Sequence, residues 1–267
     1  MNWNTIRAVL VKDLTAVRRS KAVVIPMLVV PALLLVVLPA GIGLAARSAH
    51  STDIAHYLGK LPGGVARPIA RLPEREQLIT LTLGYLLAPL FLIVPLMVAS
   101  VLAADAFAGE KERRTMEALL HLPARDRDIF YAKVLAAVLP ALAISWIGFV
   151  CFAVVSNVIA WPVMHRVFVP TRMWLIVIFW VGPAVAVLGM ALMVRISARA
   201  SSVQEASQLG GAVILPLIFA AIGQATGLLF VTPKVAATIG AGIWLIAILL
   251  LRGGAKRFHR NGLAATL

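Results

Sequence analysis

The stretch QLITLTLGYLLAPLFLIVPLMVASVLAADAFAGEKERRTMEALLHLPARDRD, residues 77–128, changes character at one position. From Gln77 to Ala104 it contains no Lys, Arg, Asp or Glu, and from Asp105 to Asp128 it holds six of the eleven carboxylates in the chain. A helix of 28 uncharged residues would be about 42 Å long, more than the ~30 Å hydrocarbon core of a bilayer. The first half therefore reads as a transmembrane helix, and the second as a charged connector leaving the membrane.

Working outward from this stretch, the same pattern recurs. Runs free of Lys, Arg, Asp and Glu extend over Ala22–Ala46, Gln77–Ala104, Val134–His165, Met173–Val194, Ala206–Lys234 and Val235–Leu251, with Lys234 taken as the break between the last two. Each is long enough to cross a membrane as a helix. The 267-residue chain has a mean hydropathy of +0.95 and only 13% charged residues, far from soluble globular composition. These features predict an all-α integral membrane protein with six spans. The first run is too long for the apolar region of a secretory signal and is followed by five more, so it reads as a span. Cys151, the single cysteine, excludes a disulfide framework and a cysteine-based zinc site.

Orientation follows from the cations. With the amino terminus inside, 17 Lys and Arg fall in inner segments (residues 7–21, 111–133, 195–199 and 252–260) and 8 in outer ones (Arg47, Lys60, Arg67, Arg71, Arg75, Arg166, Arg172 and Lys234). The positive-inside bias then places both termini in the cytoplasm. The cations follow this topology without forming a basic run interleaved with aromatics, so nucleic acid is not an expected partner.

Residues 1–21 put Trp3, Ile6, Leu10, Leu14 and Val17 at helical spacing, with Arg7, Lys12, Thr15, Arg18 and Arg19 mostly on other faces. This predicts a helix lying in the inner interface, apolar side in membrane lipid, capped by Asn2 or Asn4. Residues 47–77 form the large outer connector, with a short helix presenting Ile54, Tyr57, Leu58 and Leu61 and ended by the Pro-Gly-Gly at 62–64. His50 and His56 lack the spacing of a helical metal pair, so no metal site is expected. Two courses are open for residues 216–233: a continuous crossing, or a half-span that turns near Gly223 and re-enters as a hairpin, leaving Gln224 and Thr226 near the outer surface. Gln224, Thr226 and Asn157 are the candidate polar residues of a pathway or outer gate. For polar residues within spans, hydrogen bonding between helices is the expected role. Ionisable groups are absent from the middle of every run, which argues against an ion relay.

In the connector, residues 105–133, six acids are balanced by six bases. As a helix, Glu110 lies four residues from Arg114, and Arg113 and Arg114 both reach Glu117. Met116, Leu119 and Leu120 share a face, Pro123 stops the helix, and Asp126 is placed to cap the next one. The result is a short amphipathic helix with a charged shoulder, suited to a groove on another protein.

The run AADAFAGEKERRTMEALLHLPARDRDIFYAKVLAA resembles the loop after the second span in permease subunits of type-2 ATP-binding-cassette exporters. That family commonly reads Gly-Glu-(Lys/Arg)-Glu-Arg-x-Thr-(Leu/Met)-Glu-x-Leu-Leu, then Pro, then Gly-Lys. Residues 109–120 fit nearly throughout, with Pro123 and Lys133 at the matching distances and Ala132 in place of the glycine. The resemblance implies one permease domain over residues 1–267 and a cytoplasmic coupling helix between spans two and three. Glu110, Glu112, Arg113, Thr115, Leu119 and Leu120 are the positions matching those that meet a separate ATPase subunit.

It further implies ATP and Mg on that cytoplasmic ATPase partner, none in this chain, and a dimer with a second permease copy or paralogue. The location would be the cytoplasmic membrane of a prokaryote. Export of a hydrophobic or amphiphilic substrate (drug, lipid or peptide-like) follows as the first expectation. The Gly59–Lys60 pair lacks the flanking residues of a phosphate loop, so the chain is not expected to be an enzyme. The alternatives are an ion-gradient secondary transporter, which calls for intramembrane charges or an inverted repeat, and an integral-membrane lipid-modifying enzyme, which calls for clustered acids. Asp126 and Asp128 are the one Asp-x-Asp pair, and they are flanked by basic residues.

Overall fold

The computed structural model describes residues 3–48, 58–59, 63–112, 125–226, 228 and 231–257. Every secondary element among them is helical. Six helices are long and apolar enough to cross a membrane: Val23–Arg47, Glu74–Gly109, Asp126–Met164, Arg172–Arg199, Val203–Ala225 and Pro233–Gly254, called spans 1 to 6. An amino-terminal helix, Trp3–Arg19, precedes them. Six antiparallel passes bring the amino-terminal helix, the roots of the loop at 113–124, and the end of span 6 to one end of the bundle, the loop end.

Spans 2 and 4 form the centre. Of their most apolar windows 72% and 61% is buried within the chain, against 28% or less for the other four. The most extensive helix-to-helix contact is between these two. Gly189 of span 4 allows it, because a Cβ there would meet the Leu96 side chain and carbonyl and the Ser100 hydroxyl of span 2. Spans 1, 3, 5 and 6 surround this pair and turn apolar faces outward, among them Leu28, Ile147, Val158, Phe219 and Leu245.

The spans are interrupted by four π-helical turns: Leu33–Val37, Thr82–Leu86, Asp105–Gly109 and Val177–Val181. Three have a direct covalent cause. Pro39, Pro89 and Pro183 have no N–H to give the carbonyls of Leu35, Tyr85 and Phe179 four residues back, and all three carbonyls lie inside a π turn. Side chains of neighbouring spans serve carbonyls of these turns. The Trp174 indole donates to the Leu83 carbonyl at 3.0 Å, Gln224 to that of Tyr85 at 2.8 Å, and the Trp244 indole to that of Trp180 at 3.2 Å. Beneath the second turn, Phe91, Phe149, Phe152 and Trp174 form an aromatic cluster with centroid separations of 4.4–6.1 Å.

Several sequence expectations are corrected. Part of the apolar stripe of the amino-terminal helix is turned to protein: Ile6 and Val17 are buried, Ile6 together with Val9 against Ala132 with Leu135 packed alongside, while Trp3 is exposed. A stripe so close to the base of span 3 finds a protein partner before it finds lipid. Within the connector at 105–133, residues 105–112 extend the helix of span 2 and residues 126–133 open that of span 3. Asp126 does not cap span 3; Arg125 is the cap residue, and Asp126 and Asp128 sit in the first turn, where the helix dipole favours their charge. Gly63 opens a further helix, Gly63–Ala70, and Ile69 of that helix is buried against Leu81.

Helix continues through Gly223 to Ala225, so no half-span turns there. A short 3-10 turn at Ala212–Ile214 absorbs the irregularity, and Pro216 lies in the first turn after it, where a missing N–H costs nothing. The expected Ile54–Leu61 helix lies outside the described residues except for Leu58 and Gly59, which are helical.

Candidate functional site at the loop root

Where span 2 meets the loop, the chain gathers its buried charges. The Glu110 carboxylate is the hub. Its Oε2 accepts from Lys133 Nζ of span 3 at 2.5 Å and its Oε1 from Lys12 Nζ of the amino-terminal helix at 2.9 Å. Lys133 is completely buried. Its ammonium also donates to the Ala106 carbonyl at 2.6 Å and lies 5.3 Å from the centre of the Phe107 ring. Ala106 is in the π turn Asp105–Gly109, at whose end the Glu110 N–H bonds the Phe107 carbonyl. A buried ammonium would cost several kcal/mol on its own, so the Glu110 charge and the Ala106 carbonyl are what make Lys133 tolerable there.

The second pair is of another kind. Lys12 is half exposed, and it also lies 3.1 Å from Asp13 Oδ1. Partial burial alone would lower its pKa, but the hydrogen bond and charge of Glu110, joined by those of Asp13, outweigh that effect and the net pKa is raised. Asp13 is buried, and its Oδ2 has no hydrogen-bond partner among the described residues.

Glu112 reaches a different element. Its Oε2 accepts from the Val203 N–H at 2.9 Å, at the amino-terminal end of span 5. There the Ser202 hydroxyl accepts from the Glu205 N–H at 3.1 Å, and Glu205 Oε2 accepts from the Ser201 N–H and hydroxyl, each at 2.7 Å. A carboxylate at a helix start satisfies an orphan N–H and matches the dipole. Glu110 and Glu112 thus bind the end of span 2 to the amino-terminal helix, span 3 and span 5. The other predicted coupling residues, Arg113, Thr115, Leu119 and Leu120, lie outside the described residues.

The sequence model of the ABC-2 family of transporter proteins matches residues 7–255. The chain belongs to the ABC-2 transporter family. Its fold of six apolar helices is that of a membrane protein, its role that of a transport permease, and the family in general works with an ATP-binding subunit. Comparison with curated proteins and with solved structures gave no match.

The three polar residues predicted for a pathway or gate of this ABC-2 chain are at the far end of the bundle, and they are occupied. Asn157 Oδ1 accepts from the N–H groups of Phe168 and Val169 at 2.9 and 3.2 Å, and its Nδ2 donates to the Ala153 and Val169 carbonyls, each at 2.8 Å. It fastens the connector between spans 3 and 4, which the Arg166–Glu76 pair at 2.7 Å also ties to span 2. Gln224 links span 5 to span 2 through the Tyr85 carbonyl. Thr226 bonds the Ile222 and Gly223 carbonyls of its own helix.

The expectation of hydrogen bonds between spans holds for Gln224, which donates to the Tyr85 carbonyl of span 2. Ser145 and Thr82 bond carbonyls of their own helix, and the hydroxyls of Thr80, Ser100 and Ser156 are buried without a partner among the described residues. Inter-span bonds come instead from Trp174, Trp180, Trp244 and Lys133. Sequence reading missed them because an indole in an apolar run looks like packing, and Lys133 looked like one more inside cation. The available signal was Pro89, which marks the Tyr85 carbonyl as needing a donor from elsewhere.

Proposed function

We infer that the chain is the permease subunit of an exporter that moves a hydrophobic or amphiphilic substrate across the cytoplasmic membrane, driven by ATP hydrolysis on a separate ATPase. The observation that carries this reading is the ABC-2 family match across residues 7–255, the family being one of transport permeases that work with ATP-binding subunits. It favours this role over an ion-gradient carrier or a lipid-modifying enzyme. Two features support the finer assignment: no ionisable residue falls mid-span in the sequence, which suits an apolar cargo, and the charged loop root joins four elements of the bundle. The loop faces the cytoplasm, as the cation distribution predicts, and Arg113, Thr115, Leu119 and Leu120 dock in a groove of the ATPase. A second permease copy or a paralogue completes the assembly, and the outward apolar faces of spans 1, 5 and 6 are available to it or to membrane lipid.

The test is to tag the full chain in its own host, extract it gently and identify what co-purifies while assaying ATP hydrolysis. Glu110 and Glu112 already have partners within the chain, so the cleaner probes are Leu119→Asp and Leu120→Asp. A stoichiometric ATPase lost in these variants is the expected result. A chain that emerges folded and alone, without ATP hydrolysis under conditions that preserve detergent-sensitive complexes, would overturn the reading.

A further inference from the structure

We propose that Glu110, Lys133 and Lys12 form a releasable joint that makes the amino-terminal helix move with the π turn of span 2. Glu110 and Lys133 act as positioning residues for coupling. The proposal rests on the ATPase-driven reading for its purpose, and on the geometry for its existence.

Lys133 fixes one half of the joint. With no exposed surface, its ammonium is held by the Ala106 carbonyl inside the π turn and by Glu110 just after it. A π turn is a register irregularity, and converting it to ordinary α-helix shifts everything beyond it by about one residue. That conversion would carry Ala106 and Glu110 past Lys133, so the ammonium locks the turn in its present register. Glu110 begins the path into the loop at 113–124 and Lys133 lies just beyond its other root, so a pull on the loop bears on both ends of this bond.

Lys12 fixes the other half and supplies the release. It is shared between Glu110 at 2.9 Å and Asp13 at 3.1 Å, and the second Asp13 oxygen is buried without a hydrogen-bond partner among the described residues. An unsatisfied buried carboxylate oxygen beside a half-exposed ammonium offers that ammonium a second berth. Lys12 can leave Glu110 for Asp13 without losing its ionic partner, whereas Lys133 cannot leave Glu110 without being stranded. The joint is firm toward span 3 and yielding toward the amino-terminal helix, the asymmetry a two-state element requires.

The experiment is amide hydrogen exchange, read by mass spectrometry, on the full chain in lipid nanodiscs, with Glu110→Gln, Lys12→Met and Lys133→Met. Glu110→Gln is expected to raise exchange about tenfold in residues 105–112, the equivalent of one charge-assisted hydrogen bond, and by up to about fivefold in residues 3–19, the worth of the half-exposed Lys12 pair. Lys12→Met should raise it in 3–19 alone, and Lys133→Met most strongly in 105–112. Residues 182–199 of span 4 serve as the control for folding. If Glu110→Gln loosens the control as well, Lys12→Met decides, because its half-exposed side chain is removed with little disturbance to packing. Unchanged exchange at 3–19 in either variant overturns the joint.

With the co-purifying ATPase, ATP, Mg and vanadate should change exchange at 3–19 and 105–112 together in the wild type, but at 105–112 alone in Lys12→Met, a separation that a purely structural role would not produce. Independent changes in the wild type would overturn the coupling role. If no ATPase associates with the wild type, the functional reading fails and the coupling role with it, while the nanodisc data still judge the joint.

Discussion

The two ends of the bundle are fastened by different chemistry. At the loop end the connections run through charges: Glu110 to Lys133 and Lys12, and Glu112 to the start of span 5. At the far end Asn157, Gln224 and Trp174 hold backbone groups by neutral hydrogen bonds, and the Arg166–Glu76 pair is largely exposed on its arginine side. Neutral bonds to carbonyls are short-ranged and specific, and they fix a geometry. Charges can be competed for by another protein's charges and by water. An end that must be rearranged by a partner is reasonably built from links that have alternative partners, and the end that must hold its shape from links that do not.

Removing Glu110 should break this comparison most severely. Glu110→Ala leaves the buried Lys133 ammonium without its counter-charge, an expected loss of about 3–5 kcal/mol. The double variant Glu110→Met/Lys133→Met removes both charges at once and should cost far less. Thermal or denaturant unfolding in bicelles compares them, and equal losses in single and double variants would show that the two residues do not act as a pair.

The next effect belongs to the far end. Asn157→Ala deprives two backbone N–H groups and two carbonyls of their side-chain partner, with an expected loss of about 1–3 kcal/mol. Hydrogen exchange should rise at residues 165–171 while residues 105–112 stay protected. Loosening of both ends together would mean that the bundle is one cooperative unit and that the contrast between its ends has no mechanical meaning.

Smallest of all is the Lys12 pair, which is half exposed and so contributes at most ~1 kcal/mol. Its pKa is raised in the folded chain, so its contribution is complete below the ordinary lysine value of about 10.4 and is lost as the pH climbs through the raised one. A spin label at Val11→Cys, on the exposed face of the amino-terminal helix, with Cys151→Ser to remove the native thiol, should report constant mobility from neutral pH to that range and greater mobility above it. Mobility that rises near neutral pH would point to a different titrating group.

Much of the architecture was legible in the sequence because bilayer thickness imposes a length on every uncharged run. The number of spans follows from that constraint, and the amino-terminal helix from its apolar periodicity. Their ends did not, since a helix such as Asp126–Met164, 39 residues long, is about 58 Å in length and carries its charged first turns well beyond the hydrocarbon core.

The site was half legible. Glu110 and Glu112 stood out by their company, but a sequence gives no sign that their first partners are Lys133, Lys12 and the Val203 N–H, because those contacts depend on which faces of three helices meet. Ile6 and Val17 looked like lipid anchors for the same reason: periodicity reveals that a face is apolar, and only the packing reveals what covers it.

The most direct measurement of the central claim is a cross-link at the loop itself. A photoreactive residue introduced at Leu119 in the full chain, expressed in its host and activated in membranes, should become joined to an ATP-hydrolysing subunit, in a yield that changes when ATP and Mg are added. Cross-links only to lipid or to the chain itself, with the protein folded and in the membrane, would contradict the account.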